Sequence, residues 1–198
     1  MFVTFEGLDG SGKTTQAELL RDHLQEAGRS VVLTREPGGT PLGERIRELL
    51  LGEDGMTRWA EAALFAAARA ELVARVIRPA LERGDEVICD RYVDSSLAYQ
   101  GIARGLGVTE VLELNRPAIE GVVPDCTFLL LVDPNEARRR AGATQDRIEG
   151  EDARFWTALD SAYRQLAERF PERIVAIDGS RPPEDIAVVV REELNERG

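Results

Sequence analysis

Residues 7–14 read Gly7-Leu8-Asp9-Gly10-Ser11-Gly12-Lys13-Thr14, a match to G-x-x-x-x-G-K-[ST]. The pattern constrains the fold because it works only between a strand that delivers it and a helix that opens from it. Its glycines let backbone N–H groups turn inward around phosphates. The lysine ammonium reaches the outer phosphate oxygens, and the threonine hydroxyl suits Mg2+. Lys13 is the only lysine among 25 Lys+Arg residues, so everywhere else the chain uses arginine. A planar guanidinium does not replace a compact ammonium in this slot. Both flanks fit: residues 2–5 are apolar and β-prone, and residues 14–27 carry Ala17, Leu20 and Leu24 at helical spacing before Gly28.

The same alternation continues. Strand-like runs at 30–34, 86–89, 127–132 and 173–177 are separated by helical patterns. One helix starts at Thr40-Pro41 and carries Leu42, Ile46, Leu49 and Leu50 before Gly52. The longest runs from about 57 to 83, and shorter ones cover 94–102, 109–119 and 152–169. A last helix follows Pro182-Pro183. Strands alternating with helices after a phosphate loop predict an α/β fold: a doubly wound, mostly parallel five-stranded sheet flanked by helices. No repeat or linker divides the chain, so residues 1–198 read as a single domain.

A net charge of −11 argues against nonspecific nucleic-acid or anionic-membrane binding. An anionic ligand must therefore be held by local arginine clusters. No apolar run approaches the roughly 20 residues of a membrane span, and no leader is evident, so the expectation is a cytoplasmic protein. Cys89 and Cys126 lie in apolar strands and read as buried small hydrophobes. His23, the single histidine, sits on the first helix as a packing or surface residue.

Several residues fall where an open parallel sheet binds ligands, beyond the carboxyl ends of its strands. Arg35 follows the second strand in Arg35-Glu36-Pro37-Gly38-Gly39-Thr40 and is placed to meet an anion. The third strand ends in Asp90-Arg91-Tyr92: an Asp there has the shape of a Walker B carboxylate holding hydrated Mg2+, and Arg91 beside it could grip a phosphate. Phe65 and Arg69 share a helix face at i, i+4, either as a base-stacking pair or as core. Ser95, Ser96, Tyr99 and Gln100 lie in a segment that either reads a ligand's polar edge or caps a short helix. Arg138-Arg139-Arg140 is either a lid over transferring phosphates or a solvated face balanced by Glu136, Glu149 and Glu151.

Taken together, these segments resemble bacterial thymidylate kinases over nearly the whole chain. Residues 5–15, 35–40, 65–69, 90–92, 98–101 and 146–149 carry the resemblance. It implies a phosphate-loop nucleoside-monophosphate kinase that transfers the γ-phosphoryl of ATP to dTMP with Mg2+, as a homodimer. The ATP-binding set becomes Gly7, Leu8, Asp9, Gly10, Ser11, Gly12, Lys13, Thr14 and Thr15, with Arg139 and Arg181. Thr14 and, through water, Asp90 would hold the metal, with Asp9 assisting. Asp9 would also meet the acceptor's 3′-hydroxyl, and Arg35 and Arg91 would clamp its phosphate. Phe65 would stack on the base, Arg69 would contact its carbonyl, and Pro37, Ser95, Ser96 and Gln100 would complete that site. Tyr99 would exclude a ribose 2′-hydroxyl. The catalytic set is Lys13, Asp9, Arg91, Arg140 and Arg147. Gly10 occupies the slot where the eukaryotic pattern has an arginine, so the lid, at about 134–151, would supply that cation. Either Arg147 or one of Arg138–Arg140 would then meet the γ-phosphate.

The attacking group in such a reaction is already a phosphate oxygen, so catalysis is positioning plus charge neutralisation. A nucleoside kinase is a close rival, against which the paired acceptor arginines argue. A nucleotide-driven switch is a more distant one.

Overall fold

The computed structural model describes residues 1–52, 55–141 and 151–197. Five strands form one sheet: β1 (Phe2–Gly7), β2 (Val31–Arg35), β3 (Glu86–Asp90), β4 (Cys126–Leu131) and β5 (Ile174–Asp178). Their order is β2-β3-β1-β4-β5, and every pairing is parallel. A sheet of this kind is covered on both faces, which explains why β1 and β4 are buried nearly throughout. Chain order reverses at β1, so the crevice for ligands opens beyond the carboxyl ends of β1 and its neighbours.

The period-2 alternation of β1 assigns its side chains. Val3 and Phe5 pack with Ala17, Leu20, Ile186 and Val190 under α1 (Lys13–Glu26) and α9 (Pro183–Arg197). Phe2 faces the opposite side with Leu72, Ile77, Val87 and Tyr92. Farther along that side, Trp156, Leu159, Tyr163 and Leu166 of α8 (Ala153–Arg169) build a second core region.

The long helix expected over 57–83 is one path with a change of pitch. Thr57 caps α3 (Arg58–Leu72) by accepting a hydrogen bond from Ala60 N–H. A π-helical stretch, Val73–Ile77, then leads into α4 (Arg78–Glu82). Pro79 explains the widening, since its ring lacks an N–H and crowds the carbonyl four residues back. The helix expected at 94–102 is likewise a short α5 (Val93–Ser96) followed by a π-helical stretch, Leu97–Ala103. That stretch carries Tyr99 and Gln100. The remaining helices are α2 (Pro41–Gly52), α6 (Val108–Ile119) and α7 (Pro134–Ala141). Leu42 and Leu49, expected on the buried stripe of α2, are instead about half exposed, because Gly43, Ile46 and Leu50 face inward.

Candidate active site

The phosphate loop turns between β1 and α1 through left-handed glycines. Gly12 precedes α1 at φ 97°. Gly7, at φ 136°, has no room for a Cβ, which would lie 2.5 Å from the carbonyl oxygen of Leu130. The N-terminus of α1 has no side-chain cap and no acidic residue in its first turn, so its free N–H groups and positive dipole end stay available to an anion. Ser11 Oγ is buried there without a hydrogen-bond partner. Lys13 Nζ donates to Leu8 O at 2.8 Å.

Beyond the loop lies a groove lined by Gly10, Gly12, Lys13, Thr14, Thr15, Arg35, Arg47, Arg91 and Arg140, with Asp9, Glu36 and Asp90. Five cations face three carboxylates in a chain of net charge −11, so anion attraction is concentrated locally. Thr14 Oγ1 donates to Asp90 Oδ2 at 2.5 Å, joining the two expected metal ligands. Asp9 is engaged differently: it accepts from Arg91 at 2.6 Å and lies 3.8 Å from Lys13. Burial alone would raise its pKa, but Arg91 and then Lys13 hold it down to about 2.

A second cavity adjoins the groove. Pro37, Phe65, Ser95, Ser96, Tyr99, Gln100, Arg47 and Leu51 line it, together with Asp9, Glu36 and Arg91. Phe65 is therefore both a wall of the cavity and a packing partner of the core, so its two readings do not exclude each other. Tyr99 Oη lies 3.4 Å from Asp9 Oδ2, and the Arg91 guanidinium sits over the Tyr99 ring. Gln100 donates its amide to Glu61 at 2.9 Å, leaving its own oxygen buried without a partner.

Arg69 is where the structure departs from expectation. It does not line the cavity; its side chain is 1% exposed. One guanidinium nitrogen reaches Glu36 at 2.5 Å and Tyr92 O at 3.1 Å, and the other reaches Ser96 Oγ at 3.1 Å and Asn115. A guanidinium so deep needs this many acceptors. It thus forms a post under the floor, with only its Nε lacking a partner. Burial raises the Glu36 carboxyl to about 7, and Arg69 opposes that rise.

The arginines expected in a lid divide. Arg139 lines neither space: it points outward and pairs with Glu136, as a solvated helix face would. Arg140 also pairs with Glu136, at 2.8 Å, but donates to Gly179 O at 3.1 Å and lines the groove. A third recess continues from the phosphate loop past Arg140 to Ser180, Arg181, Pro182 and Pro183. Arg147 and the rest of 142–150 lie outside the described residues. Gly10 proves to be a packing requirement. At φ 80°, a Cβ there would fall 2.9 Å from Ala141 N and closer still to Ala137 O, so α7 rests directly on the phosphate loop.

Arg47 and Tyr163 escaped the sequence reading. Arg47 lines both spaces and donates to Pro37 O at 3.1 Å. Its signal was spacing, since it falls on the inward stripe Gly43–Arg47–Leu50, where a charge is unexpected. Tyr163 had only the weak signal of a phenol on a buried stripe, whose hydroxyl needs a partner. Its partners are Glu6, at 2.9 Å, Arg91, at 3.0 Å, and Ser95, at 3.1 Å.

A family model for thymidylate kinase matches residues 5–189. Thymidylate kinase of Pelotomaculum thermopropionicum is 52% identical over 187 residues, covering 91% of this chain and 86% of that one. The Leifsonia xyli subsp. xyli enzyme is 50% identical over 201 residues, covering 100% and 95%. Among solved structures, thymidylate kinase from Ehrlichia chaffeensis superimposes with a TM-score of 0.82 at 37% identity, over 98% of both chains.

Proposed function

Because the chain belongs to the thymidylate kinase family, and so phosphorylates dTMP to dTDP with ATP in dTTP synthesis, we propose that the groove and the adjoining cavity are the two halves of its reaction centre. One observation carries this reading. Asp9, Glu36, Arg47 and Arg91 line both spaces, so a nucleotide base in the cavity would present its phosphate to the groove.

In this reading the acceptor base rests on Phe65 and offers its polar edge to Gln100 and Ser96. Arg69 acts from below, by fixing Ser96 and Glu36. Arg35, Arg47 and Arg91 receive the acceptor phosphate, and Asp9 with Tyr99 faces its sugar. ATP lies along the phosphate loop, its adenine end in the recess beside Arg181. Lys13 and Arg140 meet the transferring phosphoryl, where neutralising equatorial oxygen charge lowers the barrier. Residues 134–151 act as the lid, and Arg147 belongs to it; Arg139 has no role in this reading.

The donor set fits Mg2+: one hydroxyl and one carboxylate sit together, and the described residues hold no cluster of three His, Cys, Asp or Glu. Mg2+ takes few protein ligands and keeps waters and phosphate oxygens. Thr14 would bind it directly and Asp90 through water, and a metal held there would supply positive charge against that of the phosphates.

We read residues 1–198 as one kinase domain that works as a homodimer in the cytoplasm, where ATP is supplied. Exposed Leu42 and Leu49 on α2 and Trp59 on α3 support self-association. No helix of the described residues is long and apolar enough to cross a membrane.

The test is ADP formation from Mg-ATP with dTMP, dUMP, thymidine or no acceptor. Strong stimulation by dTMP, less by dUMP and none by thymidine is expected. Stimulation by thymidine alone would remove the phosphate roles of Arg35, Arg47 and Arg91. Light scattering during size exclusion tests the dimer; a monomer at all concentrations would refute it.

A further inference from the structure

We propose that Glu6 and Tyr163 are positioning residues for Arg91, ordering its guanidinium toward the acceptor phosphate through a one-way chain of hydrogen bonds. The inference rests on the reading of Arg91 as a phosphate clamp.

Glu6 is on β1, on the same side of the sheet as Phe2, and is 1% exposed. A carboxylate at that depth needs its lone pairs filled by donors. Four donors surround it. The N–H groups of Tyr92 and Ser95 reach Oε1 at 2.8 and 3.1 Å. The hydroxyls of Ser95 and Tyr163 reach Oε2 at 2.6 and 2.9 Å. Burial and then Asp94 push the Glu6 pKa upward, while Arg91, Ser95 and the Tyr92 N–H pull it back. Four donors and no acceptor match the ionised form.

Each hydroxyl has one proton, which goes to Glu6 or to the other hydroxyl, 3.1 Å away. Either way both oxygens turn lone pairs toward Arg91, whose one terminal nitrogen lies 3.0 Å from Ser95 Oγ and 3.0 Å from Tyr163 Oη. A guanidinium only donates, so the polarity runs without conflict from carboxylate to hydroxyls to cation. The other terminal nitrogen donates to Asp9 at 2.6 Å. Glu6 also fixes the main chain: Arg91 has a left-handed φ of 70°, and the next N–H, that of Tyr92, is bound to Glu6. Backbone and side chain of Arg91 are thus set by one buried carboxylate, 85 positions earlier in sequence, with Tyr163 reaching in from α8.

The experiment measures kcat and KM for dTMP and for ATP in Tyr163→Phe, Arg91→Ala and the double variant, with thermal unfolding of each. Tyr163→Phe should lower kcat/KM for dTMP about tenfold, the worth of one hydrogen bond to a charged group, and leave the KM for ATP unchanged. In the Arg91→Ala background the same change should cost little further, because its effect passes through Arg91. Equal losses in both backgrounds, or parallel losses for dTMP, ATP and thermal stability, would reduce Tyr163 to structural support. Wild-type behaviour of Tyr163→Phe beside an impaired Arg91→Ala would overturn positioning while leaving the clamp intact. A wild-type-like Arg91→Ala would overturn both. Glu6→Gln extends the test where it folds: an amide nitrogen accepts nothing, so either both hydroxyls or both main-chain N–H groups lose their acceptor, and the dTMP loss should exceed that of Tyr163→Phe.

Discussion

Asp9 accepts a 2.6 Å hydrogen bond from Arg91, joining the phosphate loop to the end of β3. The same carboxylate oxygen lies 3.8 Å from Lys13, so one anion screens two cations that otherwise repel across the groove. Burial pushes its pKa up, but Arg91 and Lys13, with hydrogen bonds from Arg91 and Tyr99, together lower it from 3.8 to about 2. A lowered carboxylate stabilises the fold above its unfolded pKa, and that contribution is lost as pH falls through the folded value. Asp9→Asn should therefore be less stable than wild type at neutral pH, with the difference shrinking between about pH 4 and pH 2. Urea titrations of both proteins across that range measure it. A gap that stays constant would show that Asp9 does not titrate this way.

Arg69→Ala separates a floor post from a base contact. Removing the guanidinium leaves Glu36 buried without its cation, a change expected to cost about 3–5 kcal/mol. Thermal melting should fall sharply, and the KM for dTMP should rise because Ser96 and Glu36 lose their anchor. A raised KM at unchanged stability would restore Arg69 to direct contact with the base.

Gly10→Ala tests the seating of α7 on the phosphate loop. The new methyl has no room against Ala137 and Ala141, and the left-handed φ adds strain of about 1–3 kcal/mol. Relief requires α7 to lift away and to carry Arg140 with it. Turnover should drop more than the KM for dTMP rises, since the cavity proposed for dTMP is lined by no residue of α7. Steady-state kinetics with each substrate varied in turn checks the split.

Much of this was legible in the sequence, for physical reasons that differ from part to part. The five strands and their parallel order followed from alternation with helices after a phosphate loop, a pattern dictated by backbone pairing and chirality. Lys13, Thr14 and Asp90 were legible because the chemistry leaves few residue types able to serve there. Arg69 was misplaced because i, i+4 spacing with Phe65 fixes a helix face but not depth; depth was decided by Glu36, Asn115 and the Tyr92 carbonyl, none of them local. Arg139 and Arg140 could not be separated as neighbours in a run of three; both pair with Glu136, and they diverge through the carbonyl of Gly179, which Arg140 reaches. Tyr163 was invisible because its function rests on partners about 70 and 157 residues away. Long-range side-chain hydrogen bonds leave no periodic trace.

Lys13→Ala tests the loop itself. Lys13 is 6% exposed, buried between the loop carbonyl of Leu8 and the carboxylate of Asp9. Burial, and then Arg91, lower its pKa, while Asp9 and Asp90 oppose them. Removing it therefore relieves an electrostatic burden on the fold while deleting a cation that bound phosphates would need. The expected signature is a fold at least as stable as wild type at neutral pH, with kcat reduced by about 10²–10³. Most stabilising pairs fail together with activity when broken, so a split between stability and turnover marks a residue held for chemistry. Thermal unfolding with and without ATP reads both sides: wild type should gain stability from ATP, and Lys13→Ala should gain much less. Equal stabilisation by ATP in the two proteins would mean that the nucleotide's phosphates do not lie against this lysine.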